Sequence, residues 1–365
     1  MKRSLIAGMM AVALVISSVG CTSRAGTKTG ETAGGADAKE EADYELTEAA
    51  KNHATDGADI IGISMPATNL ERWNRDGALL AKNFEEAGYT VSLKLADNTV
   101  DSQIEDVNEL IDEGIDVLVI ATVNYDGLED VLARAESADI PIIAYDRIID
   151  SPAVDYYVSF DSYMVGQMEG EYIRDTLDLD HAGDNKFNLE IVSGYSADKN
   201  ADGYYNGAMD VLQPYIDKGT LVVPSGQIGY AETETFQWKS EYANERMLDI
   251  LANYYSDGKK LAAVLCANDS AAAGVADAIE SSYKGKNIVL LTGQDGDEEN
   301  LKNIMEDKQT MTVYKCLPNE TEVMKDVTIA FMKGEEIDES LIEKSGWDFD
   351  VVYSDDRYSN GTQDM

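Results

Sequence analysis

The most constraining feature of the sequence is a regular alternation of short apolar runs and longer amphipathic segments that begins at residue 59. The run at 59–65 is rich in β-branched residues, and the segment 69–87 has apolar residues at helical spacing. The run at 116–121 reads DVLVIA, a continuous apolar strand of the kind that a parallel sheet covers on both faces. This repeated strand–helix–strand order predicts open, mostly parallel sheets with helices packed against them.

The alternation continues through two successive series of similar size. The predicted strands are 59–65, 90–95, 116–121, 140–145, 155–160, 187–192, 221–223, 261–265, 287–291 and 311–314. Among the helices between them, one long helix is expected over 233–255. A length of 365 residues suits about two domains. The pattern therefore predicts an α/β protein with two doubly wound parallel-sheet domains.

Composition excludes several classes of function. With 69 acidic and 29 basic residues, the formal charge of −40 would repel a nucleic acid. Only two histidines are present, and the cysteines at 21, 266 and 316 form no CxxC pair, so we expect no metal centre. The first strand–helix turn reads SMPATN and lacks phosphate-loop and dinucleotide motifs, so no cofactor is predicted. Cys266 and Cys316 are best interpreted as small apolar residues, although a disulfide between them stays open.

The first 20 residues have the character of an export signal. Lys2 and Arg3 form a basic start, and an uncharged apolar stretch continues to Val19, which is short for a transmembrane helix. Gly20 and Cys21 follow, and Cys21 resembles the lipidated cysteine of bacterial lipoproteins, although an ordinary secretory signal with an incidental cysteine is the alternative. Residues 21–57 are rich in Gly, Thr, Ala and charge, which predicts a flexible tether between a membrane anchor and a folded body.

Polar side chains follow most of the predicted strands. In open parallel sheets, ligands bind beyond the carboxyl ends of the strands. Carboxylates and amides can bond pairs of sugar hydroxyls, and an indole face can cover the apolar side of a sugar ring. Any one of these residues could instead be a helix N-cap, as Asp126 is expected to be. The candidate ligand-binding residues are Arg72, Trp73, Asp146, Arg147, Asn200, Trp238, Asn268, Asp269, Gln294, Asp295 and Lys315.

A set of motifs in a fixed order makes the sequence recognisable. They are GISMP (62–66), ERWNRDG (71–77), VLVIA (117–121), IIAYDR (142–147), SFD (159–161), NGAMDVL (206–212), FQW (236–238), ND (268–269) and GQD (293–295). Over about residues 58–355 the chain resembles the type I periplasmic sugar-binding proteins of bacterial ABC importers, and within them the xylose, glucose and galactose receptors. The resemblance implies two lobes that are joined by a hinge of three chain crossings and close on one monosaccharide.

The resemblance also implies lobe boundaries and residue roles. The first lobe would comprise 58–160 and about 296–330, and the second 161–295 and about 331–365. The first lobe would contribute Arg72, Trp73, Asp146 and Arg147, and the second would contribute Asn200, Trp238 and Asp269, with Asp295 and Lys315 near the hinge. The two tryptophans would sandwich the sugar, although either could be a core residue. Lys199 beside Asn200, and Cys316 after Lys315, depart from the family pattern and put those two roles in doubt.

The function that these features favour is capture without chemistry. We expect an extracytoplasmic, lipid-anchored receptor that binds a monosaccharide by lobe closure and delivers it to an ABC permease with its ATPase. A sugar-sensing kinase is a further candidate partner. The alternative is an extracytoplasmic glycoside hydrolase with paired carboxylates such as Asp146 and Asp269. The arginine and tryptophan neighbours favour binding, but the sequence does not distinguish xylose from glucose.

Overall fold

The computed structural model describes residues 11–16, 59–335, 337 and 349–354, which form two compact units. Unit 1 contains the described residues up to Phe160 and those from Cys316 onward, and unit 2 is Asp161–Lys315. The second boundary lies later than the predicted return near 296, because residues 296–315 bond to unit 2, for example through Thr312. The described residues after 330, which were expected in the second lobe, also lie in unit 1. The chain passes between the units at 160–161 and at 315–316, and the third crossing that the resemblance implies stays a prediction.

Unit 1 is built on a seven-stranded sheet with helices along the chain between its strands. The elements are β1 (Ala11–Ile16), β2 (Ile60–Met65), α1 (Glu71–Glu86), β3 (Thr90–Leu95), α2 (Val100–Glu113), β4 (Val117–Ile120), α3 (Glu129–Ser137), β5 (Ile142–Tyr145), β6 (Tyr156–Phe160), α10 (Leu317–Lys333) and β11 (Phe349–Ser354). The sheet order is β11-β1-β6-β5-β4-β2-β3, and neighbouring strands are parallel except β1 with β11.

The apolar runs of unit 1 form its core. Strands β2, β4 and β5 are buried at every position, which agrees with a parallel sheet that is covered on both faces. Helix α2 shows how local signals set the ends of an element. The Thr99 side chain accepts a hydrogen bond from Ser102 N at its start, and Gly114, with φ 78°, ends it in the left-handed conformation that glycine tolerates.

Unit 2 is a second, smaller parallel sheet with its own helices. Its strand order is β10-β9-β7-β8, and all three pairs are parallel. The elements are α4 (Ser162–Thr176), a 3₁₀ turn (Leu179–His181), β7 (Phe187–Val192), α5 (Asn200–Asp217), β8 (Leu221–Val222), α6 (Tyr230–Thr233), a 3₁₀ turn (Phe236–Trp238), α7 (Ser240–Tyr254), β9 (Ala263–Cys266), α8 (Asp269–Ser282), β10 (Leu290–Leu291) and α9 (Glu298–Met305). The two sheets confirm the predicted fold class.

Helices α4 and α5 pack unusually closely through glycines. A Cβ atom on Gly166 would lie 2.0 Å from the backbone oxygen of Tyr204, and one on Gly207 would lie 2.0 Å from that of Tyr163. Because real Cβ atoms do not approach backbone oxygens so closely, only glycine at these positions allows α4 and α5 to lie this close together. The spacing G-x-x-x-G occurs in both helices, at 166–170 and 203–207.

Three sequence predictions differ from the structure. The expected helix over 233–255 is broken, because Ser193, just after β7, exchanges backbone hydrogen bonds with Thr233 and Thr235 and holds that segment extended. The expected segment 311–314 forms no regular strand, and Val313 makes an isolated bridge with Gln294. Asp126 caps no helix, since α3 begins three positions later, after Leu128.

None of the helices within the described residues combines the length and apolar character that a membrane span needs.

Candidate functional site

The predicted site residues of unit 1 lie together at one edge of its sheet. Arg72 and Trp73 are in the first turn of α1, soon after β2, and Asp146 and Arg147 follow β5 directly. Strands β2 and β5 are parallel and both flank β4, so their carboxyl ends meet at the same edge. All four side chains are buried, with exposures between 2% and 6%. The rule that strand ends converge therefore identified a real cluster.

This cluster pairs opposite charges around an indole ring. Arg72 Nη2 donates to Asp146 Oδ1 over 2.5 Å. The Cζ atoms of Arg72 and Arg147 lie 5.0 and 4.8 Å from the centre of the Trp73 ring, within range for cation–π attraction. Arg147 Nη1 also donates to the backbone oxygen of Thr122 over 3.1 Å. Trp73 belongs to the core of unit 1, and its predicted stacking on a sugar stays a prediction.

Backbone geometry fixes the direction of Asp146. Its φ of 56° is in the left-handed region, which aspartate adopts more readily than most residues. The side chains of Tyr157 and Ser159, both from β6, donate to its backbone oxygen over 2.9 and 2.8 Å. The neighbouring strand thus holds the turn that presents Asp146 and Arg147.

Three further residues of the cluster were not found from the sequence. Asp76 Oδ2 accepts from Arg72 Nε over 3.3 Å, and Glu320 Oε2 accepts from Arg72 Nη2 over 3.3 Å. The Tyr145 hydroxyl lies 3.0 Å from Asp76 Oδ2 and 3.1 Å from Glu320 Oε2, and can donate to one of them at a time. Asp76 is four residues after Arg72 on α1, which is a recognisable ion-pair spacing. Glu320 is 248 residues from Arg72, and no local pattern could connect them.

Burial governs the ionisation of this cluster. It raises the pKa of Asp76 to about 6, while Arg72 opposes the shift and Asp146 adds to it. Burial also raises the pKa of Tyr145 well above its ordinary value, and the nearby carboxylates reinforce this effect. Tyr145 is therefore a neutral hydrogen-bond donor, and Asp76 exchanges its proton near neutral pH.

Asp295 and Lys315 form the corresponding charged pair of unit 2. Lys315 Nζ lies 3.3 Å from Asp295 Oδ1 and 3.1 Å from the Tyr204 hydroxyl. Lys315 is 2% exposed, and Asp295 adopts a φ of 106°. Tyr204, from α5, is a partner that the sequence did not reveal.

Asp269, another predicted ligand contact, is already engaged on both carboxylate oxygens. Oδ2 accepts from Gly296 N, Asp297 N and Thr312 Oγ1, and Oδ1 accepts from Gln309 Nε2, all over 2.9–3.0 Å. Burial raises its pKa to about 7, and the charge of Asp295 contributes. The geometry makes Asp269 the anchor of the segment that carries Asp295 and Lys315.

The predicted amide side chains differ in whether protein groups already satisfy their hydrogen bonds. Asn268 caps α8, with its Oδ1 accepting from Ala271 N over 3.0 Å. Gln294 Nε2 donates to the Ala267 oxygen, while its Oε1 is buried without a hydrogen-bond partner among the described residues. Asn200 begins α5, is 2% exposed, and donates its backbone N–H to Asp198 Oδ1.

Trp238 lies in a short turn before α7 and not inside a long helix. Its φ is 59°, its side chain is 5% exposed, and Tyr204 packs edge-on against its ring. A Cβ on Gly194 would lie 2.1 Å from this ring, so only glycine fits there. The buried indole Nε1 has no partner within the described part of the chain.

The titratable and thiol groups of the described residues bear on whether a metal site is present. No set of three or more His, Cys, Asp or Glu that could hold a metal ion occurs in the described residues. Cys266 and Cys316 are not joined in a disulfide. Cys21 lies outside the described residues.

Comparison with known proteins identifies the class to which this architecture belongs. The multiple sugar-binding periplasmic receptor ChvE of Rhizobium radiobacter is 37% identical over 278 residues, which cover 75% of this chain and 78% of the relative. The D-xylose-binding periplasmic protein of Escherichia coli is 30% identical over 76% of this chain and 78% of its own.

Solved structures that resemble this protein are also sugar-binding proteins. An ABC transporter solute-binding protein from Clostridium phytofermentans with bound β-D-glucose has a TM-score of 0.74 and 46% identity, over 76% of this chain and 86% of that one. The D-glucose complex of a carbohydrate transporter solute-binding protein from Chloroflexus aurantiacus has a TM-score of 0.68 and 26% identity, over 76% and 85% of the two chains.

The architecture is that of an ABC-type solute-binding protein. Residues 61–336 match the periplasmic binding protein domain, and the chain belongs to that family. Its relatives are receptors and binding proteins, which supports binding and not catalysis as its activity.

Proposed function

We propose that this protein captures a neutral monosaccharide of the glucose or xylose type by lobe closure and delivers it to an ABC permease. The observation that carries the proposal is the buried Arg72–Asp146–Arg147 cluster at the carboxyl ends of β2 and β5, in a family whose relatives are named for sugars. A carboxylate accepts from hydroxyls and a guanidinium donates to them, so adjacent opposite charges suit a neutral polyol.

Unit 2 supports the proposal with buried hydrogen-bond donors and acceptors that could bond sugar hydroxyls. Within the described part of the chain, the buried indole N–H of Trp238 is a donor without a hydrogen-bond partner, and the Gln294 Oε1 is an acceptor without one. Buried polar atoms in folded proteins nearly always have partners, and a polyol ligand would supply them. The Lys315–Asp295 pair adds a charged donor and acceptor. We infer that Trp238, Gln294, Asp295 and Lys315 contribute ligand contacts, whereas Asn268 and Asp269 support them from within unit 2.

A thermal-shift screen with pentoses and hexoses tests this proposal. A ligand at 100 times its Kd should add about 2.7 kcal/mol to the stability of the folded state. We expect D-glucose or D-xylose to raise the melting temperature, and L-sugars or amino acids to leave it unchanged. An absence of any shift with aldoses up to millimolar concentration would reject the proposal.

We also propose that Cys21 is lipidated and anchors the protein to the outer face of the cell membrane. The apolar stretch up to Val19, followed by Gly20 and Cys21, supports this interpretation. Cleavage before Cys21 would remove β1, so the mature sheet would lose the strand that pairs with β6 and β11. Cys21→Ser should release a sugar-binding protein from the membrane fraction. A variant that fractionates with membranes as firmly as the parent would contradict lipidation.

A further inference from the structure

Unit 2 contains a small cavity between α4, α5 and the carboxyl ends of β7 and β9. Its lining includes Glu169, Val192, Ser193, Tyr204, Leu265 and Ala267. The centre of a water molecule can move within about 10 Å³ of this cavity. This is about the space that one buried water requires.

The only carboxyl group in this lining belongs to Glu169, and its environment is incomplete. Glu169 is 1% exposed, and its Oε1 has no hydrogen-bond partner among the described residues. It lies between Gly166 and Gly170, where α4 approaches α5 so closely that Cβ atoms would contact backbone oxygens. The close packing holds the carboxyl group inside unit 2, away from solvent that could otherwise satisfy it.

The charges nearby determine which form of Glu169 is present. Burial raises the pKa of Glu169 well above its ordinary value, and Asp269 and Asp295 raise it further, while Lys315 opposes them. These effects favour the neutral, protonated form of the side chain, which has one proton to donate and oxygens that can accept. A single water can meet both needs.

We propose that this cavity is an internal water site in which one water bonds Glu169 and the polar groups of Ser193 and Ala267. Tyr204 lines the same cavity, and its hydroxyl lies 3.1 Å from Lys315 Nζ. The water fills the space beside Tyr204 and so keeps the tyrosine against Lys315. Glu169 is thereby a positioning residue for Lys315, and this second step rests on the proposed sugar-binding function.

Two substitutions at Glu169 separate hydrogen bonding from size. Glu169→Gln keeps the shape and the capacity to bond a water, whereas Glu169→Met keeps the length but has no group to hold it. Matched controls are Glu171→Gln and Glu171→Met, because Glu171 is exposed on the same helix and pairs with Arg174. A high-resolution crystal structure of the sugar-free protein should show a water at hydrogen-bond distance from position 169 in the parent and in Glu169→Gln, but not in Glu169→Met.

Calorimetric titration with D-glucose and the ¹³Cε chemical shift of Lys315 report on positioning. We expect Glu169→Met to weaken affinity about tenfold, as for the loss of one hydrogen bond, and Glu169→Gln to restore it to within about twofold. The Lys315 signal should move in Glu169→Met and stay in place in both controls.

A dry cavity in the parent protein would overturn the water site. Equal affinities and Lys315 signals in the Met and Gln variants would overturn the positioning role. Because the water and the Lys315 signal are measured without sugar, a failure of sugar binding itself would be recognised separately.

Discussion

Asp269 provides a sharp test of how unit 2 is organised, because both of its carboxylate oxygens accept hydrogen bonds from protein groups. Its carboxylate accepts four hydrogen bonds from the segment 296–312, two of them from the backbone N–H groups of Gly296 and Asp297. Asp269→Ala would remove all four acceptor contacts. Gly293 is adjacent, since a Cβ there would lie 2.4 Å from Asp269 Oδ1 and 2.7 Å from Gln309 Nε2.

The size of the effect follows from opposing contributions. Hydrogen bonds to a charged group contribute about 1.5–3 kcal/mol each, so four contribute roughly 6–12 kcal/mol before the cost of burial. The pKa nevertheless rises from 3.8 to about 7, so burial and the charge of Asp295 outweigh these bonds for the charged form, and far less than their sum remains as net stabilisation. We therefore expect Asp269→Ala to lower the free energy of unfolding of unit 2 by about 3–5 kcal/mol at pH 7. Asp269→Asn, which keeps one oxygen but turns an amide toward a donor, should cost about 1–3 kcal/mol.

Urea denaturation and hydrogen exchange measure this effect globally and locally. The amides of Gly296 and Asp297 should lose protection in Asp269→Ala, and Gly293→Ala should reproduce the loss by displacing the carboxylate. Asp277→Ala, exposed on the same helix, is the matched control and should change stability by no more than about 0.5 kcal/mol. Unchanged stability and protection in Asp269→Ala would refute the anchoring role. Loss of sugar affinity in a fully stable Asp269→Asn would show that the residue contacts ligand instead.

Three other predictions concern the two units. Arg147→Ala should weaken sugar binding on the order of a hundredfold in calorimetry, and Arg147→Lys should recover little because lysine lacks the planar fork. Arg134→Ala, at a half-buried position on α3, is the control, and unchanged affinity in a folded Arg147→Ala would reject the assignment. Gly207→Ala should lower the melting temperature although alanine favours helices, since its Cβ would lie 2.0 Å from the Tyr163 oxygen and overpacking costs about 1–3 kcal/mol. A stabilised variant would show that α4 and α5 can separate freely. Because the pKa of Asp76 is raised from 3.8 to about 6, the folded state holds this proton more tightly, and its contribution to stability falls as pH rises from about 4 through 6. The parent should lose about 2–2.5 kcal/mol more than Asp76→Asn between pH 4 and pH 7, and parallel pH profiles would contradict this.

The fold was largely predictable because its signals are local and periodic. The predicted strand 187–192 coincides with β7, and the predicted helix 69–87 contains α1. The helix expected over 233–255 failed because its first residues bond to Ser193, forty positions earlier in the chain. A helical pattern does not reveal such pairing, which tertiary contacts impose over local propensity.

The candidate site was predictable only where the topology brings strand ends together. Arg72, Asp146 and Arg147 converge because parallel strands end at one edge. The contact of Arg72 with Glu320 depends on how α10 packs, which no spacing in one sequence reports. Asp269 had the right residue type and position, but the four protein donors that occupy it are visible only in three dimensions.

Calorimetric titration of the mature chain with D-glucose and D-xylose tests the central claim most directly. The account predicts saturable binding of at least one of these sugars to a single site, with affinity lost in Arg147→Ala and no hydrolysis of aryl glycosides. Absence of binding by every neutral aldose, or turnover of a glycoside, would contradict it.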